Sequence, residues 1–260
     1  MEKLFQFSLR LLNHVETTFV RQTHKSINWQ NRLIGLIGPR GVGKTTMVLQ
    51  HIKTNLDPKT SLYVTAEDFY FSKHQIIELA AEFVREGGKH LFIDEIHKYP
   101  DWSREIKLIY DYHPDLQVVF TGSSILDIKE GSADLSRRAV VYNMPGLSFR
   151  EYLELFHRLK LPTYSLEEIV NHKINSSIIK HPLPLFKSYL KRGYYPFSSE
   201  EDFEIKLKQV VNQTLEIDIP TYSNMNVSTG RKLKQLLGII SQSVPFKPNR
   251  SKIAEMLNIS

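Results

Sequence analysis

Apolar residues between positions 30 and 145 alternate between two patterns. Compact blocks, Leu33–Ile37, Ser61–Thr65, Lys89–Ile93, Leu116–Phe120 and Ala139–Tyr142, are short and β-branched, and read as five strands. The segments between them return an apolar residue every three or four positions. From Gly43 to about Leu56, the residues Val48, Leu49, Ile52 and Leu56 share one helical face, and Asp57-Pro58 ends the run. Ser72 is placed to cap a second helix running to Gly87-Gly88, and a third follows Pro100 with Trp102, Ile106 and Ile109 spaced for burial. The opening stretch MEKLFQFSLRLLNHVETTF carries acids and reads as an amphipathic helix, not a signal peptide. Such strand–helix alternation predicts an α/β domain with a parallel sheet covered on both faces.

After Pro145-Gly146 no convincing strand pattern appears. Ser148–Lys160, Ser165–Ile174, Pro184–Arg192 and Glu201–Ile219 read as helices. The polar stretch Thr221–Gly230 then leads to Lys232–Ser241 and Lys252–Ile259. We therefore expect an α/β domain over 1–150, a helical domain over 151–226 and a smaller helical element over 227–260.

Composition narrows the class. The 260-residue chain is 41% hydrophobic and 24% charged, as in ordinary globular proteins. It has no cysteine, which excludes disulfides and thiolate metal sites and suits a reducing compartment. No apolar run approaches the roughly 20 residues of a membrane span, so a cytoplasmic location without membrane partners is expected. The net charge of +6 concentrates near the end: Arg231, Lys232, Lys234, Lys247, Arg250 and Lys252 occur with no acid among them. This is the charge pattern of weak, non-specific contact with a polyanion such as nucleic acid, and equally of a solvated helix face.

The sharpest chemical signal is Gly38-Pro39-Arg40-Gly41-Val42-Gly43-Lys44-Thr45-Thr46, which satisfies G-x-x-x-x-G-K-[ST] between a predicted strand and a predicted helix. Glycines let backbone N–H groups turn around phosphate oxygens, and the helix N-terminus adds positive potential. Lys44 is expected to reach the β- and γ-phosphates of ATP and the Thr45 hydroxyl to ligate Mg²⁺. Asp94, closing the apolar strand before Glu95, fits the second Mg²⁺ ligand. Glu95 fits a base that polarises water, so hydrolysis is favoured over kinase chemistry, which excludes water. Val118–Ser124 ends the fourth strand in hydroxyl residues, either near the γ-phosphate or in a small-residue turn.

GPRGVGKTT, LFIDEIHKYPDW, VFTGSS, DLSRRAVVY and GLSFREYLEL, in that order, resemble the prokaryotic AAA-type P-loop ATPases of the archaeal-ATPase or STAND-like group. The likeness runs from about Asn28 to Leu155, then weakens to PLPLF, KRGYYPF and EIDIP. It implies a sheet of order 5-1-4-3-2, a helical segment behind it and a C-terminal winged helix-turn-helix. It also implies a γ-phosphate sensor at Ser123 and nucleotide-state sensing by Arg137 or Arg138. SKIAEMLNIS resembles the first helix of that motif with Asn258–Ser260 as its turn, so the motif is expected to be truncated.

Arg138 sits at the start of the fifth strand, whereas nucleotide binds at carboxyl ends. That leaves two roles: a structural ion pair, or a finger acting in trans on a neighbouring copy. The reading is a Mg²⁺-dependent ATPase coupled to its helical C-terminal region, with Lys44, Glu95, Ser123 and Arg138 catalytic and residues 38–46 holding ATP or ADP. The alternative is a slow nucleotide-gated switch that controls a protein partner. His97, Phe69–Phe71 and Tyr194–Phe197 are read as packing residues.

Overall fold

The protein is described from a computed structural model, over residues 1–123, 135, 137–174, 179, 181–220, 227–243 and 247–257. Ser124 and the Asn258–Ser260 turn lie outside the described residues. The described residues form two compact units, one reaching Glu200 and the other beginning at Glu201. This division falls some way beyond the change of pattern near residue 150.

The first unit is built on a five-stranded, all-parallel sheet: β1 (Leu33–Ile37), β2 (Ser61–Thr65), β3 (His90–Asp94), β4 (Gln117–Gly122) and β5 (Val140–Asn143). The order is β2-β3-β4-β1-β5, the one the resemblance implies. Alternate side chains go to opposite faces, as the two-residue strand period requires. Leu33, Leu62, Leu91, Val118 and Phe120 pack with α4 (Ile76–Arg85) and α5 (Trp102–Tyr112). Ile34, Leu36, Tyr63, Phe92 and Val119 pack with α3 (Lys44–Asn55) on the other face. Because both faces are covered, β1 is buried throughout and reads as a continuous apolar run.

The edge at β2 is managed by α1 (Glu2–His14), whose Ser8 hydroxyl accepts the backbone N–H of Tyr63 at 3.2 Å. A short helix, α2 (Thr23–Ser26), precedes β1. Beyond β5 come α6 (Phe149–His157), α7 (Leu166–Val170) and α8 (Pro182–Arg192). Ser148 and Ser165 cap α6 and α7 by accepting the N–H groups of Glu151 and Glu168.

One local expectation is corrected. Ser72 caps no helix: its hydroxyl donates to the Phe69 carbonyl and closes a 3₁₀ turn, Phe69–Ser72. Helix α4 starts four residues later, where Glu78 accepts the backbone N–H of Gln75. Tyr70 and Phe71 pack on the core as expected, but Phe69 is 90% exposed.

The second unit contains α9 (Phe203–Asn212), a π-helical turn (Gln213–Asp218), α10 (Val227–Gln242) and α11 (Arg250–Met256). Helix α10 begins inside the stretch read as a polar connector. Arg231, Lys234, Lys247, Arg250 and Lys252 are exposed, and Lys234 pairs with Glu216 at 3.1 Å.

Candidate nucleotide site

The parallel sheet brings three loops to one edge. β1, β4 and β3 are neighbours, with Ile37 level with Gly122 and Ile93 level with Phe120. The segments after them, Gly38–Gly43, Ser123 and Glu95, therefore emerge side by side at the carboxyl ends of the strands, where open α/β sheets bind ligands.

The first segment is a loop that only glycine fits at two positions. Gly41 and Gly43 have φ of +83° and +95°, the left-handed region that disfavours side chains. Gly43 is the N-cap of α3, and no side chain caps this helix, so its first-turn N–H groups are not taken up by a side-chain cap, the arrangement that suits an anion. Lys44 is buried, and its ammonium donates to the carbonyls of Gly38 at 2.9 Å and Pro39 at 3.1 Å. Burial lowers the Lys44 pKa, and the carboxylates of Glu95 and Asp94 oppose that shift.

At the end of β3 the Asp94 carboxylate accepts from three hydroxyls. Thr45 donates to Oδ2 at 2.6 Å, Tyr63 donates to Oδ2 at 2.7 Å, and Thr121 donates to Oδ1. Burial first, then the charge of Asp94, raises the Tyr63 pKa far above the ordinary phenol value, so its O–H remains a donor. The Thr121 hydroxyl also accepts the backbone N–H of Glu95 at 3.2 Å, tying the two acids to the end of β4.

Glu95 has φ of +52°, a left-handed conformation that costs a non-glycine residue on the order of 1–2 kcal/mol. Burial raises the pKa of its carboxyl, Lys44 opposes the shift, and Asp94 adds to it. His97 Nε2 lies 3.2 Å from Glu95 Oε2, so the geometry joins to the acid pair a histidine that its local sequence marks only as packing. Ser123 is buried at the end of β4, and its hydroxyl has no hydrogen-bond partner among the described residues. Arg40 lies close enough to influence both Lys44 and Glu95 electrostatically.

The loop is also braced from behind. Arg21, itself buried, donates from Nη1 to the Val42 carbonyl, from Nη2 to the carbonyls of Pro145 (2.7 Å) and Gly146 (3.0 Å), and from Nε to Glu151 Oε1 (2.8 Å). Glu151 also accepts from Gln22 N, Ser148 N and Ser148 Oγ. Burial alone would raise the Glu151 pKa; these hydrogen bonds more than offset it, and the net shift is downward. Gln50 on α3 fixes the connector that carries Arg21 by donating to the Glu16 and Phe19 carbonyls.

Pro196 and Phe197 approach the same loop. A Cβ on Gly41 would fall 2.6 Å from the Phe197 ring, so the loop accommodates that ring because position 41 has no side chain. A cavity of about 210 Å³ opens beside the loop, lined by Glu16, Thr18, Arg21, Gly43, Thr46 and Pro196.

Arg138 is placed in an ion pair, its Nε and Nη2 donating to the two carboxylate oxygens of Asp111 at 3.0 and 3.1 Å. Of its two roles left open, this geometry is the structural one; a role in trans would require that pair to open. Arg137 is exposed.

Residues 30–153 match the family model for the AAA domain. The span covers just under half of the chain and includes all five strands, the Gly38–Gly43 loop and the acid pair. Together with the fold it supports an AAA-type P-loop ATPase as the class of this domain. The uncharacterised Methanocaldococcus jannaschii protein MJ1637 is 26% identical over 256 residues, spanning 90% of this chain and 53% of that protein. The chain thus covers about half the length of the curated relative it matches.

Solved structures also overlap with the chain. PCH-2 of C. elegans has a TM-score of 0.35 and 16% identity, over 99% of this chain and 64% of that one. The S. cerevisiae Hsp104–ADP complex has 0.41 and 17%, over 99% and 36%. NtrX of Brucella abortus with ADP has 0.39 and 14%, over 100% and 69%.

Proposed function

We propose that the protein binds ATP with Mg²⁺ at the Gly38–Thr46 loop and hydrolyses it, with Glu95 as the base that activates water. The observation that carries this reading is the convergence of Lys44, Thr45, Asp94 and Glu95 at the carboxyl ends of β1 and β3, the parallel strands on either side of β4, with Thr45 already hydrogen-bonded to Asp94. The donor set fits Mg²⁺: a hydroxyl and a carboxylate are hard oxygen ligands for a small hard cation, whose shell phosphate oxygens and water would complete. When bound, the metal would neutralise phosphate charge and orient the nucleotide.

The chain's own groups supply the rest. Backbone N–H groups of the loop and the first turn of α3 hold phosphate oxygens. Lys44 exchanges its loop carbonyls for phosphate. The buried Ser123 hydroxyl, without a hydrogen-bond partner among the described residues, meets the terminal phosphate. Glu95 takes a proton from attacking water; burial, which raises its pKa, makes it a better base than an exposed carboxylate. The base and ribose occupy the cavity beside Gly43 and Thr46. Arg21 connects the loop to the start of α6, and Phe197 meets the loop directly, so a change of nucleotide state is passed to the 145–199 segment.

Equilibrium binding of ATP tests the site. Replacing Lys44 by Ala removes a charge-assisted contact to phosphate worth about 1.5–3 kcal/mol, so affinity should fall roughly 10- to 100-fold. Unchanged affinity in this variant would place the nucleotide elsewhere. Turnover measured alongside separates an active hydrolase from the slow switch, which uses the same residues and retains its nucleotide.

A further inference from the structure

We propose that Tyr63 is a positioning residue of the metal site, holding the Asp94 carboxylate in the orientation in which it serves Mg²⁺. The inference rests on the Mg²⁺–nucleotide reading above and deepens it.

A carboxylate offers about four lone-pair positions, and Asp94 uses three of them on the hydroxyls of Thr45, Tyr63 and Thr121. Thr45 is the hydroxyl that the metal itself would take. Tyr63 and Thr121 would then remain as the fixed supports, one on each carboxylate oxygen.

Tyr63 reaches its place by strand register. In the parallel pair of β2 and β3, Thr65 is level with Asp94 and Tyr63 with Phe92. Two-residue alternation puts Tyr63, Phe92 and Asp94 on the same face. The backbone of Tyr63 is pinned at its amide by Ser8, and its side chain is buried in the core cluster that also holds Phe92, Val119 and Met47. Phenylalanine would fill that volume equally well. A phenol buried there is costly unless its O–H is paired, and the pairing it makes is with the metal-side carboxylate. Partners of this kind fix ligand orientation, and their loss costs about 10- to 100-fold in metal affinity.

Tyr63→Phe tests the proposal, because it removes one oxygen and leaves the ring. A fluorescent ADP analogue is titrated in EDTA and then against Mg²⁺, with the thermal midpoint as a packing control. The variant should bind the analogue in EDTA within about twofold of wild type. The Mg²⁺ concentration giving half-maximal enhancement of binding should rise about 10- to 100-fold. Turnover at saturating Mg²⁺ should fall by a smaller factor.

Thr121→Val supplies a second reading. It should raise the Mg²⁺ requirement in the same direction and lower turnover even at saturating Mg²⁺, since the Glu95 N–H loses its acceptor. A wild-type Mg²⁺ requirement in Tyr63→Phe overturns the proposal, as does an equal loss of EDTA-state binding, which would mark a general packing defect. If wild-type binding itself is indifferent to Mg²⁺, the metal reading fails and takes this inference with it.

Discussion

At single residues, the site shows how burial changes chemistry that composition cannot. Glu95 is strained at φ +52°, pushed toward protonation by burial, and held at its amide by Thr121. A two-acid motif specifies none of this. His51, on α3 outside the phosphate site, is a parallel case. Its ring stacks on Trp29 at 3.7 Å between centroids, and its Nδ1 lies 3.1 Å from His24 Nε2. Burial first, then the charges of His24 and His90, lowers its pKa from 6.5 to about 4.

The folded protein thus keeps His51 neutral, while the unfolded chain takes up the proton below about 6.5. Its stability contribution is complete above that pH and is lost as pH falls toward 4. At about 1.4 kcal/mol per pH unit the loss is limited to roughly 3 kcal/mol. Denaturant unfolding at pH 7 and pH 4.5 should show wild type losing stability more steeply than His51→Gln. Equal losses would contradict the assignment.

Among the elements, the connection of most consequence joins segments far apart in sequence. Arg21 and Glu151 form a buried pair, 130 residues apart, that ties the Gly38–Gly43 loop to the N-terminus of α6. Removing the arginine alone leaves a buried carboxylate uncompensated, so Arg21→Ala should cost about 3–5 kcal/mol in denaturant unfolding. Adding Glu151→Gln removes that stranded charge, and the double variant should lose less than the sum of the singles. Additive losses would show that the two residues act independently.

The same element explains what the sequence could and could not disclose. The strand-to-helix loop at Gly38–Gly43 was legible because its glycines, lysine and hydroxyl stand at fixed local spacing, and Gly41 and Gly43 do take positive φ. β1 and β2 were legible to the residue because buried parallel strands are short apolar runs. Arg21, Tyr63 and Thr121 act through contacts between distant segments, and locally they resemble a loop arginine, a core aromatic and a strand threonine. Helix α4 was placed too early because Ser72 has the chemistry of a cap but bonds backward, to Phe69.

Over the whole molecule, the strand order decides where the chemistry falls. With β1 between β4 and β5, and β3 beside β4, the Gly38–Gly43 loop, Ser123 and the acid pair share one edge. The AAA-domain match covers this sheet, and the relative that extends further is about twice the length of the aligned chain. The central claim is that this edge hydrolyses ATP with Glu95 as base. The most direct measurement is phosphate release at saturating Mg²⁺–ATP by wild type and Glu95→Gln, with ATP affinity measured on both. Wild type should turn over, and the variant should bind ATP within a few-fold yet release phosphate on the order of 10²–10⁴ more slowly, the range for a lost general base. Phosphate release by Glu95→Gln at the wild-type rate would contradict the account.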